Sequence, residues 1–268
     1  MTAWDPSVVG RWSRTRTFDV TAERVRAYAE AIGDETGALS PVFAVVPGMD
    51  LVFDVARAAC DEASRAFVVH GQQDIIHYRP LPVDGTVLVR AAVIGLHGKG
   101  SGTAATIKVV TLDADEVPLN ELYVTEFYRG IGSDLALGEG APALPRQPPE
   151  GTPSRVDTVA LPIDLPRRYA DASGDHNPIH LDEGFARAAG LPGVIVHGLA
   201  SLAIAARSVI AAAGIGPTGV RRLSCRFTRP ITPGDSLTTS VFSSDGTLRF
   251  ESTDGQGQTV LGAGVLTM

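Results

Sequence analysis

Side chains that can exchange protons are concentrated in one short stretch of the chain, residues 169–182. This stretch contains Asp175 and His180, which are separated by the turn-forming pair Asn177 and Pro178. The residue before a proline resists helix formation, so a turn is expected here. Such a turn can direct Asp175 and His180 into one cleft, where a carboxylate and an imidazole can share general acid and base catalysis. Taken alone, the same residues also fit a helix cap followed by a plain turn.

An apolar helix is expected to follow this stretch and to position it. Leucine, isoleucine, valine and alanine recur at helical spacing between residues 199 and 213, which is typical of a helix buried on several sides. Gly214 and Pro217 are expected to end the helix. Gly198 opens it, and the first turn of a helix offers unpaired backbone N–H groups that favour a negative charge.

Both halves of the chain show the same order of predicted elements. Short amphipathic helices are predicted after the N-cap residue Thr21 and over residues 165–172, and a longer helix is predicted over 49–63. Strands are predicted over 67–78, 86–96, 103–112 and 119–128, and again over 221–228, 236–242, 247–252 and 260–267. Helices followed by consecutive strands with short turns predict an α+β protein in which each antiparallel sheet packs on a helix.

Three short segments recur in the same order in the two halves, which indicates an internal duplication. Residues 28–34 match 169–175, residues 46–48 match 196–198, and residues 78–80 match 228–230. A segment rich in proline and glycine separates the halves and is expected to be a linker. We therefore predict an N-terminal domain over 1–130, a linker over 131–155 and a C-terminal domain over 156–268.

The composition argues against several classes of protein. The formal net charge of the 268-residue chain is -7, which disfavours nucleic acid and anionic membranes as partners. Cys60 and Cys225 have neither the spacing of a metal site nor that of a disulfide framework. The first residues lack the pattern of a signal peptide, and no apolar run is long enough to span a bilayer. We expect a cytoplasmic protein that contacts neither membrane nor nucleic acid.

The stretch around Asp175 resembles the signature of MaoC-like R-specific enoyl-CoA hydratases, a tyrosine followed by Ser-Gly-Asp-x-Asn-Pro-x-His. The chain carries these residues at Tyr169, Ser173, Gly174, Asp175, Asn177, Pro178 and His180. Further resemblance lies in Val196-His197-Gly198 before the buried helix, and in Phe227, Pro230, Gly234 and Asp235. The resemblance is specific over residues 160–242 and weaker in the N-terminal half. It implies a double hot-dog fold, in which two long helices are each wrapped by an antiparallel sheet.

The resemblance also implies the activity of a hydro-lyase in fatty acid metabolism, adding water to trans-2-enoyl thioesters or removing it from R-3-hydroxyacyl thioesters. The implied catalytic residues are Asp175 and His180, acting on one water, with Asn177 orienting that water. Gly198 would supply the backbone N–H that stabilises negative charge on the thioester oxygen. No cofactor and no metal ion are expected, because His70, His77 and His97 lack ligand spacing.

Five further residues are predicted to bind the substrate: Ser173, His197, Arg229, Met49 and Phe53. Met49 and Phe53 belong to the apolar N-terminal helix, which is expected to hold the acyl chain. Asp34 matches Asp175 in the repeat, but Leu39 stands where the repeat would place the histidine. The N-terminal half is therefore expected to be a degenerate copy without catalytic activity of its own.

Two other functions remain open from the sequence alone. A hot-dog thioesterase would use a similar carboxylate and helix start to attack the thioester carbonyl, although the Asp-x-Asn-Pro-x-His pattern argues against it. A non-catalytic acyl-thioester binding protein is the second alternative, against which the intact pair of Asp175 and His180 argues. The acyl group could be carried by coenzyme A or by an acyl carrier protein, and a homodimer is left open.

Overall fold

The computed structural model describes residues 3–244 and 247–268. The helices are α1 (Ala22–Ala31), α2 (Met49–Ala59), α3 (Glu62–Arg65), α4 (Leu165–Ser173), α5 (Glu183–Ala188) and α6 (Gly198–Ala213). Short 3-10 helices lie at Pro6–Val8, Pro41–Gly48, Pro178–His180 and Pro217–Gly219. The strands are β1 (Arg16–Val20), β2 (Val68–His77), β3 (Gly85–Lys99), β4 (Gly102–Leu112), β5 (Pro118–Arg129), β6 (Ala136–Gly138), β7 (Arg155–Ala160), β8 (Arg222–Phe227), β9 (Ser236–Ser244), β10 (Thr247–Thr253) and β11 (Thr259–Thr267).

The chain forms two compact units that are interleaved in sequence, whereas the predicted domains are continuous. The N-terminal unit contains the described residues up to Val20 together with Pro47–Ala143. The C-terminal unit contains Thr21–Val46 and Leu144–Met268. Helix α1 therefore belongs to the C-terminal unit, although it comes early in the chain.

The sheet of the N-terminal unit is antiparallel, with the strand order β1-β3-β4-β5-β2. Helix α2 contacts β3 and β4 through an apolar face that includes Leu51, Val52 and Ala56. The short strand β6 pairs with β3, so part of the predicted linker is ordered against this sheet.

The sheet of the C-terminal unit is also antiparallel and has the strand order β7-β9-β10-β11-β8. Helix α6 contacts all five of these strands. Nearly every side chain from Leu199 to Ile210 is buried, as the apolar and small residues predicted. The helix ends at Gly214, whose φ of 66° is the left-handed conformation that glycine adopts without strain.

The two sheets have the same strand order when their strands are taken in sequence, which is the result expected of a duplication. In each unit a first strand lies at one edge, beside the third, and the second strand lies at the opposite edge. Each sheet packs against its own helix, α2 in one unit and α6 in the other. The predicted α+β fold, with two helices each covered by an antiparallel sheet, is confirmed.

The boundaries of several elements differ from the predicted ones. The helix predicted over 49–63 stops at Ala59, because Cys60 is extended and pairs with Trp4 in an isolated bridge. The short helix α3 follows, and Asp61 is its N-cap. Strands β1 and β7 were not predicted, since most of their positions are exposed or half-buried and few apolar residues mark them.

Both cysteines are buried thiols, Cys60 beside α2 and Cys225 in β8. Within residues 3–244 and 247–268, no helix has the length and apolar character needed to cross a membrane.

Candidate active site

The loop that carries Asp175 begins at the C-terminus of α4. Gly174 ends the helix in the left-handed conformation, with a φ of 80°, and its N–H donates to the carbonyl of Ala170 at 2.9 Å. The backbone N–H of Asp175 then donates to the hydroxyl oxygen of Ser173 at 3.2 Å. Because Ser173 is buried, its hydroxyl anchors the start of the loop to the body of the C-terminal unit. The role of Ser173 in binding substrate stays a prediction.

Asn177 organises the turn between Asp175 and His180. Its backbone N–H donates to a carboxylate oxygen of Asp175 at 3.2 Å, and its side-chain oxygen accepts from the N–H of Ile179 at 3.3 Å. Pro178 follows as the first residue of the 3-10 helix. At this position a backbone N–H would have no acceptor within the helix, so its absence in proline loses no hydrogen bond. The side-chain oxygen of Asn177 is thus used for capping, and its NH₂ group remains the part that can donate to a ligand.

The ring of His180 is buried and held in one orientation. Its Nδ1–H donates to the carbonyl oxygen of Ile195 at 2.9 Å, so Nε2 is the unprotonated acceptor of the neutral ring. Burial lowers the pKa of His180, and the nearby charge of Asp175 opposes this effect only in part. His180 is therefore neutral near pH 7 and can accept a proton at Nε2.

His197 is stacked directly on His180. The two ring centroids are 3.7 Å apart and the ring planes differ by 25°. The Nε2–H of His197 donates to the backbone carbonyl oxygen of Asp175 at 2.9 Å, while Nδ1 is buried without a hydrogen-bond partner among the described residues. Burial, and then the proximity of His180, lowers the pKa of His197 to about 3, so this ring also stays neutral.

Two tyrosines continue this packing of rings behind His197. The ring of Tyr169 lies 4.9 Å from that of His197, and its hydroxyl is 3.2 Å from the hydroxyl of Tyr28. Burial raises the pKa of both phenols above its usual value. Tyr28 and Tyr169 occupy the same place in the sequence repeat, so equivalent residues of the two halves meet here. The repeat marks both residues, but no local sequence pattern predicts their contact.

Asp175, His180 and His197 bring one potential ligand atom each to within 4.8 Å of one another. A shared metal ion would require the nitrogen lone pairs of both histidines to converge on one point, and each lone pair lies in the plane of its ring. Because the rings are stacked with only 25° between their planes, the two lone pairs lie in nearly parallel planes. The geometry favours proton exchange between Asp175 and His180 over the binding of a metal.

Gly198 begins α6 directly after His197, and no side chain of the described residues caps this helix. A Cβ at Gly198 would lie 2.9 Å from two ring atoms of Phe227, so only glycine lets the helix start pack this closely on β8. The equivalent Gly48 is the N-cap of α2, and a Cβ there would lie 2.6 Å from Val109. The first turn of α6 thus presents unpaired backbone N–H groups beside the residue that holds the Asp175 loop.

The remaining predicted residues lie elsewhere. Arg229 is exposed beyond the end of β8. Met49 and Phe53 belong to α2 of the N-terminal unit, Met49 buried and Phe53 half-buried. Their role in binding substrate stays a prediction. Asp34, the counterpart of Asp175, accepts hydrogen bonds from the N–H and hydroxyl of Thr36 in a purely local cap.

Comparison with known families identifies both halves of the chain. Residues 145–263 match the family described as the MaoC like domain, and residues 18–130 match the MFE-2 hydratase 2 N-terminal domain. The chain thus carries a MaoC-like dehydratase domain and an MFE-2 hydratase 2 N-terminal domain. The resemblance that the sequence carries around Asp175 is thereby confirmed.

Two curated relatives of this MaoC-like protein align over nearly its whole length. The 3-hydroxyacyl-thioester dehydratase Y of Mycobacterium tuberculosis is 29% identical, over 91% of this chain and 89% of that protein. A probable enoyl-CoA hydratase 2 of Dictyostelium discoideum is 26% identical, over 92% of this chain and 90% of that protein. A crystal structure of a MaoC-like dehydratase from Phytophthora capsici matches with a TM-score of 0.87 at 23% identity, covering 97% of this chain and 96% of that chain. A Mycobacterium tuberculosis structure described as having a double hotdog fold also matches, with a TM-score of 0.57 at 18% identity over 95% of each chain. Together these matches establish the double hot-dog fold.

Proposed function

We propose that this protein reversibly hydrates trans-2-enoyl thioesters to R-3-hydroxyacyl thioesters, with Asp175 and His180 acting on one water molecule. The observation that carries the proposal is the pairing of an aspartate and a neutral, oriented histidine in the loop beside the start of α6. The names of the relatives support the same reaction, since one is an enoyl-CoA hydratase and another a 3-hydroxyacyl-thioester dehydratase.

The two side chains supply complementary contacts to a water molecule. The unprotonated Nε2 of His180 and the carboxylate of Asp175 are both acceptors, so each can take one hydrogen of the same water. The NH₂ group of Asn177 can donate to the oxygen of that water. In hydration the water oxygen bonds to the β-carbon, one water proton passes to this pair, and the pair returns a proton to the α-carbon. Dehydration follows the same path in reverse.

Negative charge develops on the thioester oxygen during this reaction, and the start of α6 is suited to stabilise it. The backbone N–H of Gly198 and its neighbour lack acceptors within the helix, and the helix dipole places partial positive charge at this end. A preorganised donor of this kind contributes about 3 kcal/mol to lowering a barrier in well-studied acyl-transfer enzymes. Gly198 is our candidate for this donor.

His197 was predicted to bind substrate, but its burial and contacts support a different role in the same reaction. It is 1% exposed, it holds the backbone of Asp175 through Nε2, and it covers one face of the His180 ring. We assign it as a positioning residue that holds the backbone of Asp175 and the ring of His180 in a fixed relative orientation. Its own neutrality avoids a second positive charge, which would oppose protonation of His180.

The substrate is a thioester of coenzyme A or of an acyl carrier protein. We propose that the N-terminal domain, over 1–130, binds its acyl chain through Met49 and Phe53, while the C-terminal domain, over 156–268, catalyses the reaction. Arg229 is exposed and can contact a phosphate of the carrier. The apolar character of α2 supports this division, because acyl sites are lined mainly by apolar side chains.

The test is a spectrophotometric assay of enoyl-CoA hydration with several chain lengths, followed by determination of the chirality of the product. We expect an R-3-hydroxyacyl product, and a loss of at least about a hundredfold in kcat for Asp175→Asn and for His180→Ala. His176→Gln, which removes an exposed imidazole from the same loop, is the matched control and should retain activity. Near-normal turnover in either site variant would refute the assignment, as would release of free thiol without hydration.

A further inference from the structure

A cluster of arginines lies in the N-terminal unit and includes none of the residues assigned to catalysis. Arg11, Arg14 and Arg16 fall within six residues of one another in a chain whose formal net charge is -7. Trp12 stands between the first two. A concentration of guanidinium groups against the overall charge of a protein creates a local potential that attracts anions.

These residues line a cavity of about 460 Å³ between the segment before β1 and helix α2. Leu51, Val55 and Val93 provide apolar walls, and Leu51 and Val93 are buried. The side chains of Arg11, Arg14 and Arg16 are exposed around them. The cavity therefore combines apolar surface with cationic groups, the usual composition of a site for a ligand that has an anionic and an apolar part.

The arginines differ in how far their charge is already neutralised. Arg16 forms an ion pair with Asp54 at 2.7 Å, and Arg57 approaches the other oxygen of Asp54 at 3.4 Å. Asp54 is thus shared by two cations. Neither Arg11 nor Arg14 has a salt bridge within 4.0 Å in the described part of the chain. Their guanidinium groups remain able to hold a phosphate through paired N–H donors.

Trp12 adds an aromatic surface to the same cavity. Its side chain is 41% exposed, which is unusual for so large an apolar group. The guanidinium carbon of Arg90 lies 4.9 Å from the ring centroid, so this cation lies over one face of the indole in a cation–π contact. The exposed part of the ring borders the cavity, where a flat ligand can stack on it.

We propose that this cavity binds a phosphorylated ligand with a flat aromatic ring, that is, a ligand of the nucleotide class. Arg11 and Arg14 contact the phosphate, Trp12 stacks on the ring, and Leu51, Val55 and Val93 exclude water from the ligand. Two sources share this chemistry: the nucleotide end of a coenzyme A thioester, and a free nucleotide acting as an effector. Only the first source rests on the function proposed above.

Binding is measured directly, without reference to catalysis. The chain has two tryptophans, and Trp4 is buried against Tyr128, so the emission of Trp12 can be isolated by comparison with Trp12→Phe. Adenosine 3′,5′-bisphosphate should quench Trp12 in a saturable manner, and isothermal titration should give the same affinity. The combined variant Arg11→Gln/Arg14→Gln should bind at least about tenfold more weakly, since two charge-assisted contacts are lost. Arg26→Gln, which removes an exposed arginine on α1, is the matched control.

The source of the ligand is then distinguished by steady-state kinetics. If the cavity holds the substrate's carrier, the double variant raises KM for an enoyl-CoA and leaves KM for the corresponding enoyl-pantetheine unchanged. If it holds a free nucleotide, both KM values stay constant while the nucleotide still binds. Absence of binding to the wild-type chain at millimolar concentration, or equal affinity in the double variant, would overturn the proposal. Because the binding assay needs no turnover, this result is separate from a failure of the hydratase assignment.

Discussion

Acidification should destabilise this protein through His197. The ring is 1% exposed, and its surroundings lower its pKa from the usual value of 6.5 to about 3. In the unfolded chain the same imidazole takes up a proton near its ordinary pKa. Between about pH 6.5 and pH 3 the unfolded state therefore binds more protons than the folded state. Stability is complete above this range and falls as the pH is lowered through it.

The size of the effect follows from the separation of the two pKa values. A difference of one pKa unit corresponds to about 1.4 kcal/mol, so each pH unit below 6.5 removes roughly that amount from the free energy of unfolding. Lowering the pH from about 7.5 to about 5.5 should thus cost about 1.4 kcal/mol through His197 alone. Burial lowers the pKa of His180 as well, which adds a contribution of the same sign.

Urea denaturation of the wild-type chain and of His197→Gln at several pH values measures this contribution. Glutamine can donate to the carbonyl of Asp175 but does not titrate, so the variant should be less sensitive to acid by about 1.4 kcal/mol between the two pH values. The comparison uses the pH dependence of each protein, because the loss of stacking on His180 also changes absolute stability. Identical pH dependence in wild type and His197→Gln would refute the reasoning.

Three further perturbations separate the roles of the two halves. Gly198→Ala places a Cβ 2.9 Å from Phe227 and should cost about 1–3 kcal/mol in stability together with much of the activity, as measured by urea denaturation and kcat. Gly216→Ala, where the Cβ meets open space, should change neither quantity. Asp34→Ala should leave kcat nearly intact, and a loss comparable to that of a catalytic variant would show that the N-terminal loop takes part in the chemistry. Phe53→Ala should shift the chain-length preference in the hydration assay at nearly constant kcat for the preferred chain, and an unchanged preference would exclude α2 from the acyl site.

The sequence alone determined those parts of the structure that depend on short-range contacts. Thr21 caps α1, as predicted, because its hydroxyl accepts from the N–H of Arg24 only three residues away. The turn from Asp175 to His180 is built from hydrogen bonds between residues two or three positions apart, so its residue types reveal it directly. The repeated order of helices and strands was also readable, since hydrophobic periodicity is a property of each segment by itself. These signals were sufficient to locate Asp175, Asn177, His180 and the helix start at Gly198.

Other features depend on residues that are distant in the sequence, and only the tertiary structure decided them. No local pattern shows that α1 joins the C-terminal unit, where Tyr28 meets Tyr169 across 141 positions. The Val196-His197-Gly198 pattern places His197 at the start of α6 but does not show what its ring contacts. Packing buries the ring on His180 and joins its Nε2 to the carbonyl of Asp175, 22 residues earlier. The neutrality of both histidines has the same origin, since desolvation depends on every element that surrounds a ring and not on the residues beside it in the chain.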